Sequence, residues 1–411
     1  MSMDRTVGVI GLGYVGLPLA LTAVESGWNV IGFDKNAQLI ENLITGQSHI
    51  DDVSDSRLAE SMALGRFRPV DNVEALSDVD ICIICVPTPI TTDLKPDLSF
   101  VESAARLIST ILKPTCVVVN ESTSYPGTLR SIIQREIRTA RGNLGDIAGY
   151  VAAPERVDPK NVEYNHSNTP RVLGGDEVDQ VSRVADFYRS MGPEVTLVSS
   201  PEAAEFTKLI ENAFRLVNIS FVNELTPYAS ALGVDLIEAL DAAATKPFGF
   251  MKFTPGPGVG GHCIPVDPHY LLDSAKSMDV QLPVLNSAVE VNLGVPEKVI
   301  GRVIEILGES SNSKILLLGV AYKDGISDTR ETPALPIAEG LIKAGFKVYW
   351  SDNAVTSWET AEKYAGQDID LAIALTSSTN SQLIEIPKNI RIFDCTGRHT
   401  NLPNVISYFN S

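Results

Sequence analysis

Thr6-Val-Gly-Val-Ile-Gly11-Leu-Gly13-Tyr-Val-Gly16-Leu-Pro-Leu-Ala-Leu21, followed by Gly27-Trp-Asn-Val-Ile-Gly-Phe-Asp34, is the stretch whose reading decides the fold. Residues 6–10 read as a buried strand, and Gly11–Gly16 as a glycine-rich turn. Val15–Ser26 carry a helical apolar pattern that stops at Gly27, a typical C-terminal glycine. Residues 28–33 make a second strand with Asp34 at its end. G-x-G-x-x-G alone is a weak signal. Here it follows a strand, opens a helix and is answered by an acid about 20 residues on, and that context makes it a dinucleotide fingerprint. Gly11 permits the tight turn, Gly13 lets the backbone approach a pyrophosphate, and Gly16 permits close packing of helix on strand. Tyr14 and Val15 belong to the same turn, and the helix start supplies N–H groups and a positive dipole end to phosphates. Asp34 is placed to accept from ribose hydroxyls and would repel a 2′-phosphate, which favours NAD over NADP; Lys35 beside it softens that preference.

Working outward, strands are expected at 80–86, 115–120 and 148–152, with helical patterns near 98–112 and 126–139 between them. Strands alternating with helices imply a parallel, doubly wound sheet. From Pro201 to Ala244 the pattern turns helical, with Pro227 expected to kink or break it, and a second helical pattern covers 282–307. The opening pattern then returns: Lys314–Val320 as a buried strand, Pro333–Ala344 as a helix, and Gly345-Phe-Lys-Val-Tyr-Trp-Ser-Asp352 mirroring Gly27–Asp34. The second copy lacks a full G-x-G-x-x-G and is not expected to hold a dinucleotide by that turn. The expected fold class is α/β, with two Rossmann-like doubly wound domains joined by a central helical segment. The expected boundaries are 1–199, 200–307 and 308–411. Apolar residues on more than one face of Ala213–Val222 suggest burial on several sides, hence a homo-oligomer, most simply a twofold dimer.

Composition narrows the partners. Over 411 residues the chain is 44% hydrophobic and 20% charged, ordinary for a globular protein, with a net charge of −18. Such an acidic surface argues against nucleic acid and against anionic membranes, though a few local cations still suffice for a small phosphate ligand. The N-terminus shows no basic region followed by a signal-type apolar run, and the apolar runs are far shorter than the ~20 residues of a membrane span. A cytoplasmic protein is expected. Five scattered cysteines do not suggest a disulfide framework. Cys82 and Cys85 match C-x-x-C by letter but lie in a buried strand and read as packing residues, and no metal site is expected.

Residues 255–268, Pro-Gly-Pro-Gly-Val-Gly-Gly-His-Cys-Ile-Pro-Val-Asp-Pro, hold four glycines and four prolines in fourteen positions. Neither a helix nor a central strand forms from that; it is a shaped loop whose backbone can come close to a ligand. An isolated cysteine is usually a buried structural residue. Cys263 in this loop reads instead as a nucleophile, with His262 either activating it or packing beside it.

At this point the chain resembles the nucleotide-sugar 6-dehydrogenases, which include UDP-glucose, UDP-N-acetylglucosamine and UDP-N-acetylmannosamine dehydrogenases. The resemblance covers nearly the whole chain. It is carried by Gly11–Gly16, Pro87-Thr88-Pro89, Glu121-Ser-Thr-Ser124, Pro154-Glu155-Arg156, Lys208 with Asn212, Gly260-Gly-His-Cys263 with Asp267, and Tyr322-Lys323 followed by Asp328-Thr-Arg330. It implies a four-electron oxidation of a sugar 6-hydroxymethyl group to the uronic acid, with two NAD reduced and a thiohemiacetal and thioester formed on Cys263. It implies Lys208 and Asn212 at the oxyanion, Asp267 and Thr123 handling water and protons, and Glu155 as a possible base. Pro87 and Thr88 would join the cofactor site, with Arg330 reaching the NAD. Arg156, Gly260, Lys323 and Arg398 would join Lys208 and Asn212 around the substrate, Lys323 and Arg398 at the nucleotide diphosphate. Thr245–Phe250 and Pro154–Pro159 are similar to the UDP-N-acetylglucosamine branch, and Val266 stands where the UDP-glucose branch has lysine. The order of substrates is therefore UDP-N-acetylglucosamine, UDP-N-acetylmannosamine, UDP-glucose. Two other classes compete. A single-step hydroxyacid-type dehydrogenase would need neither Cys263 nor a second Rossmann-like domain. A non-catalytic NAD-binding regulator would not need Lys208, Asn212 and Cys263 together.

Overall fold

The computed structural model describes residues 5–158, 161, 163–308, 312–376, 386, 387, 389–398 and 404–408; Pro159 of the Pro154–Pro159 segment lies outside them. The chain divides into two compact units, residues 1–211 with 269–278, and residues 212–268 with 279–411.

The first unit runs β1 (Thr6–Ile10), α1 (Gly16–Glu25), β2 (Asn29–Phe33), α2 (Ala37–Ile44), α3 (Asp55–Ala63), β3 (Phe67–Val70), β4 (Ile81–Ile84), α4 (Ser99–Ile108), β5 (Val117–Asn120), α5 (Arg135–Arg141), β6 (Gly149–Ala152), β7 (Arg171–Gly175), α6 (Val178–Ser190) and β8 (Val195–Val198). Its sheet is ordered β3-β2-β1-β4-β5-β6-β7-β8, parallel except where β7 runs antiparallel to β6. β4, β5 and β6 are buried along their whole length, as strands covered by helices on both faces must be. Cys82 and Cys85 are buried and unpaired. The strand order reverses between β1 and β4, and a ligand site is expected beyond the carboxyl ends of strands at such a point.

Four helices follow: α7 (Pro201–Leu232), α8 (Leu236–Ala244), α9 (Asp267–Ser277) and α10 (Pro283–Leu307). Pro227 does not break α7, which continues to Leu232. The break falls where two signals coincide: Gly233 takes a φ of +70°, and the Asp235 carboxylate accepts from the N–H groups of Ile237 and Glu238 to start α8.

In the second unit come β9 (Lys314–Leu318), α11 (Ala334–Lys343), β10 (Lys347–Ser351), β11 (Glu362–Lys363), β12 (Leu371–Ala374), β13 (Arg391–Asp394) and β14 (Val405–Ser407). The sheet order is β11-β10-β9-β12-β13-β14, with every neighbouring pair parallel. It reverses between β9 and β12, the counterpart of β1 and β4. Trp350 and Phe393 anchor the core on one face, Tyr349 and Ile392 on the other.

Candidate active site

The glycine turn has the geometry its spacing predicts. Gly11 takes a φ of +87°, and a Cβ there would lie 2.6 Å from the Cys85 carbonyl oxygen. A Cβ on Gly16 would lie 1.8 Å from the Gly11 carbonyl oxygen, so no side chain fits. Gly13 has nothing within 4 Å of a would-be Cβ, which leaves its backbone open to a ligand. No side chain caps the start of α1. The Asp34 carboxylate accepts the Leu12 N–H at 3.0 Å and the Asn36 N–H at 2.9 Å, which fixes it at the end of β2 beside the turn. These residues fit a dinucleotide: an open anion cradle and an oriented acceptor for ribose hydroxyls. The Lys35 ammonium sits 5.2 Å over the Phe100 ring. Pro87 and Thr88 follow β4, the strand paired with β1, and the Tyr270 hydroxyl donates to the Thr88 carbonyl at 3.0 Å.

The loops after β5 and β6 carry the next group. Ser122 ties the β5 loop to the β4 loop: its hydroxyl accepts the Val86 N–H at 2.9 Å and donates to the Val86 carbonyl at 2.8 Å. Thr123, next to it, is half-buried. Glu155 follows β6 and faces Lys208 of α7 at 3.7 Å, with both side chains under a tenth exposed. Its other oxygen accepts the Val157 N–H. The Arg156 guanidinium is held by Glu211, at 3.0 and 2.5 Å. Sequence reasoning missed what lies beneath. Arg171 pairs with Glu121 at 3.2 Å in full burial, and the Tyr188 hydroxyl donates to Glu121 at 2.5 Å. Burial pushes the Glu121 carboxyl up, against Arg171 and Tyr188. It also missed Glu205, which accepts the N–H groups of Gly127 and Leu129 at 2.6 and 2.8 Å and whose carboxyl burial pushes up to about 8. A charged residue opening the apolar run Arg171-Val-Leu-Gly-Gly was the one signal available.

In the second unit the cysteine loop has no regular structure and is pinned by helices. Asn223 of α7 accepts the Gly256 N–H, and Asn292 of α10 accepts the Val259 N–H, each at 2.8 Å. A Cβ on Gly260 would lie 2.7 Å from the Glu331 carbonyl oxygen, so glycine is required for this close approach. Cys263 is in no disulfide and is half-buried. Its carbonyl accepts the Asp267 N–H at 2.8 Å at the start of α9, and the Asp267 carboxylate accepts from the Asn212 amide at 2.5 Å. The sequence-predicted Cys263, Asp267 and Asn212 are thus brought together. Arg330 is forked onto Asp328 and reaches His262 at 3.4 Å. Although burial opposes it, Arg330 holds the Asp328 carboxyl below its ordinary value.

A cavity of about 250 Å³ opens in the same unit beyond β9, β12 and β13. Lys323 and Arg398 line it, together with Gly256 and Gly258 of the cysteine loop and the ring-bearing Tyr322. Tyr322 also packs against Gly261. Two cations over a glycine backbone suit a diphosphate. Among the described residues no cluster of His, Cys, Asp and Glu is arranged to hold a metal ion.

Known proteins agree with this anatomy. The NAD binding, central and UDP binding domains of the UDP-glucose/GDP-mannose dehydrogenase family match residues 5–192, 202–293 and 316–386. The chain is 37% identical over 340 residues to UDP-N-acetyl-D-mannosamine dehydrogenase of Pyrococcus horikoshii, covering 81% of this chain and 80% of that one. It is 33% identical over 371 residues to UDP-N-acetyl-D-glucosamine 6-dehydrogenase of Pseudomonas aeruginosa, covering 88% and 86%. A solved structure of UDP-D-ManNAc dehydrogenase from Pyrococcus horikoshii superposes with a TM-score of 0.86 at 31% identity over 98% of both chains. With a fingerprint turn that fits NAD, a pinned cysteine loop and relatives of this extent, the chain belongs to the UDP-glucose/GDP-mannose dehydrogenase family and is an NAD-dependent UDP-sugar dehydrogenase.

Proposed function

We propose that the chain oxidises the 6-hydroxymethyl group of a UDP-N-acetylhexosamine, UDP-N-acetylglucosamine first, to the carboxylate through a thioester on Cys263. The carrying observation is the cavity of the second unit, where Lys323 and Arg398 share walls with Gly256 and Gly258 of the loop that leads to Cys263. A nucleotide diphosphate bound there leaves its sugar within reach of that loop.

The glycine turn would hold NAD, which would supply the hydride acceptor for two oxidations. The chain's own residues do the rest. Gly13 and the start of α1 take the pyrophosphate and Asp34 the ribose, while Pro87, Thr88 and Arg330 complete the cofactor's surroundings. Lys208 and Asn212, four apart on α7, direct an ammonium and an amide at the reacting oxygen and favour its anionic form. The Cys263 sulfur adds to the aldehyde carbon and its proton passes to the oxygen, giving a thiohemiacetal. Loss of hydride and the hydroxyl proton gives the thioester. Water, oriented by Asp267 and Thr123 with Glu155 as base, then breaks the C–S bond and returns the thiol. Arg156 steadies the substrate side by fixing Glu211, and Gly260 admits the sugar to the loop. The division 1–199, 200–307 and 308–411 is retained, supported by the ranges of the three matched domains.

Thr245–Phe250 and Pro154–Pro159 support the glucosamine epimer. UDP-N-acetylmannosamine is the second reading, supported by the higher identity to the Pyrococcus horikoshii enzyme. The test counts NADH per sugar against UDP-N-acetylglucosamine, UDP-N-acetylmannosamine and UDP-glucose. Two NADH per sugar, with the greatest kcat/KM on UDP-N-acetylglucosamine, is expected; a greater value on the mannosamine epimer selects the second reading, and one NADH per sugar overturns the four-electron route. Cys263→Ala should lower uronate formation by about 10³ or more while NAD binding, followed by fluorescence, stays within about twofold. Two NADH per sugar at wild-type rate in that variant would remove Cys263 from the mechanism.

A further inference from the structure

The first unit buries an ionic cluster in which the steps above use Glu155 and Lys208 but give no part to Glu121 and Arg171. Glu121, Glu155, Arg171 and Lys208 are each under a tenth exposed, and Glu121 and Arg171 are shut off from water almost completely. Burying a charged pair is weak evidence for stability, because desolvation consumes most of the attraction. Here the pair also has an expensive setting. Arg171 stacks 5.0 Å over the Tyr188 ring and donates to His166 Nδ1 at 2.9 Å, which requires that nitrogen to carry no proton, while its own Nε has no acceptor. Burial and Arg171 together hold His166 well below its ordinary value.

The placement shows what the cluster serves. Glu121 follows β5 directly and opens the loop that carries Thr123. The Glu155 N–H donates to the Glu121 carbonyl at 3.2 Å, so the loop after β6 is stitched to the loop after β5 at the charged residue. Glu155 in turn faces Lys208. The titratable groups facing Glu155 are Lys208 from α7, Glu121 after β5, Arg171 from β7 and Cys85 after β4; Tyr188 from α6 and His166 from the segment before β7 stand against Arg171. Burial and the nearby carboxylates push the Cys85 thiol well up, burial pushes the Tyr188 phenol well up, and His166 is uncharged, so these three carry no charge near neutral pH. Two carboxylates and two cations remain, and they balance.

We propose that Arg171 is a positioning residue for the reaction: it neutralises Glu121, so that the Lys208 ammonium answers to Glu155 and to the substrate oxygen rather than to two buried carboxylates. Without Arg171, two buried carboxylates face a single ammonium, and one of them takes up a proton at a higher pH. This inference rests on the roles given above to Glu155 and Lys208.

The test is the pH profile of kcat at saturating UDP-sugar and NAD. Wild-type turnover itself examines the function, independently of Arg171. In Arg171→Gln the acidic limb should move to higher pH, by on the order of one pH unit, with both KM values within about threefold. Glu121→Gln leaves the arginine unbalanced and should move the limb to lower pH. Glu121→Gln/Arg171→Gln restores the balance, buries no net charge, and should return the limb to its wild-type position. A purely architectural pair would lower kcat equally at every pH and leave the double variant no better than either single one; that outcome overturns the proposal. If Arg171→Gln does not fold, the opposite shift in Glu121→Gln and the recovered limb in the double variant still decide, and an unmoved limb in both refutes it.

Discussion

Asp34 and Asp352 are the same residue in the same bonds with different consequences. Asp352 accepts the Val320 N–H at 2.8 Å and the Ala354 N–H at 2.8 Å, as Asp34 accepts those of Leu12 and Asn36. Gly319 takes a φ of +84° and donates to the Ser351 carbonyl, as Gly11 takes +87° and donates to Phe33. What separates the two turns is the next positions. Where Gly13 and Gly16 stand in the first copy, the second has Ala321 and Asp324. The Gly16 position tolerates no Cβ in the first turn, so the second copy, with Asp324 there, cannot close the same turn onto a dinucleotide. Only Asp34 is therefore left to choose a cofactor. Its two oxygens are each engaged by one N–H and keep lone pairs for vicinal hydroxyls, whereas a 2′-phosphate would meet a fixed negative charge. The ratio of kcat/KM for NAD to that for NADP should be on the order of 10² or more, the scale of a few kcal/mol for a charge repelled at close range. Asp34→Ser should bring the two cofactors nearer by lowering the NAD value and raising the NADP value. Equal efficiencies in the wild type would refute the role of Asp34.

The elements that hold the nucleophile are helices, although the nucleophile's own segment is not one. Asparagine is a poor residue for a helix interior because its amide competes for backbone groups. Asn223 and Asn292 sit there and direct that same capacity at the cysteine loop, giving the Gly256 and Val259 N–H groups their acceptors. Asn292→Ala leaves a Val259 N–H without its partner, at a cost of about 1–3 kcal/mol, and frees the loop four residues from Cys263. The expected result is a lower Tm and a roughly tenfold fall in kcat/KM for the UDP-sugar, with Asn292→Asp, whose carboxylate accepts the same bond, recovering much of both. Full efficiency in Asn292→Ala would show that the loop holds itself. Local rules made much of this legible: continuous apolar strands, the glycine turn, the repeat at Gly345–Asp352 and the loop with eight glycines and prolines all follow from near neighbours in sequence. Where long-range pairing decides, the sequence was mute. Pro227 reads as a residue that kinks or breaks its helix, yet α7 passes through it without a break to Leu232, and Gly233 follows. Arg171 finds Glu121 fifty residues away and Tyr188 on another element, and no periodicity announces such a triad.

At the scale of the molecule the question is what covers the central helices. No helix among the described residues is long and apolar enough to cross a membrane. Phe214, Phe221, Tyr228 and Leu232 recur at spacings of seven, seven and four, which keeps them on one face of α7, and all four are exposed, Tyr228 by 63%. Leu293 and Val284 of α10, in the same unit, are exposed as well. An apolar stripe several turns long is seldom left to water by a monomer. An acidic chain of net charge −18 repels its own copies at long range, so association needs a contact in which apolar burial outweighs that repulsion. A stripe along a helix can cover itself when a second copy is turned about a twofold axis, because each residue then meets the same patch in reverse and no surface is left over to recruit further copies. The chain should therefore run in light scattering at micromolar concentration as a closed species of twice the 44.3 kDa chain mass, with no ladder of larger forms. Phe221→Asp/Tyr228→Asp places a buried carboxylate pair from each copy at that contact and should give monomers, while the two sheets, whose cores lie elsewhere, keep their circular dichroism. Raising the salt concentration should strengthen the wild-type dimer by screening the repulsion and should not rescue the variant, since the penalty there is desolvation rather than long-range charge. A wild-type monomer, or a variant that remains dimeric, would rule out this face of α7 as the contact.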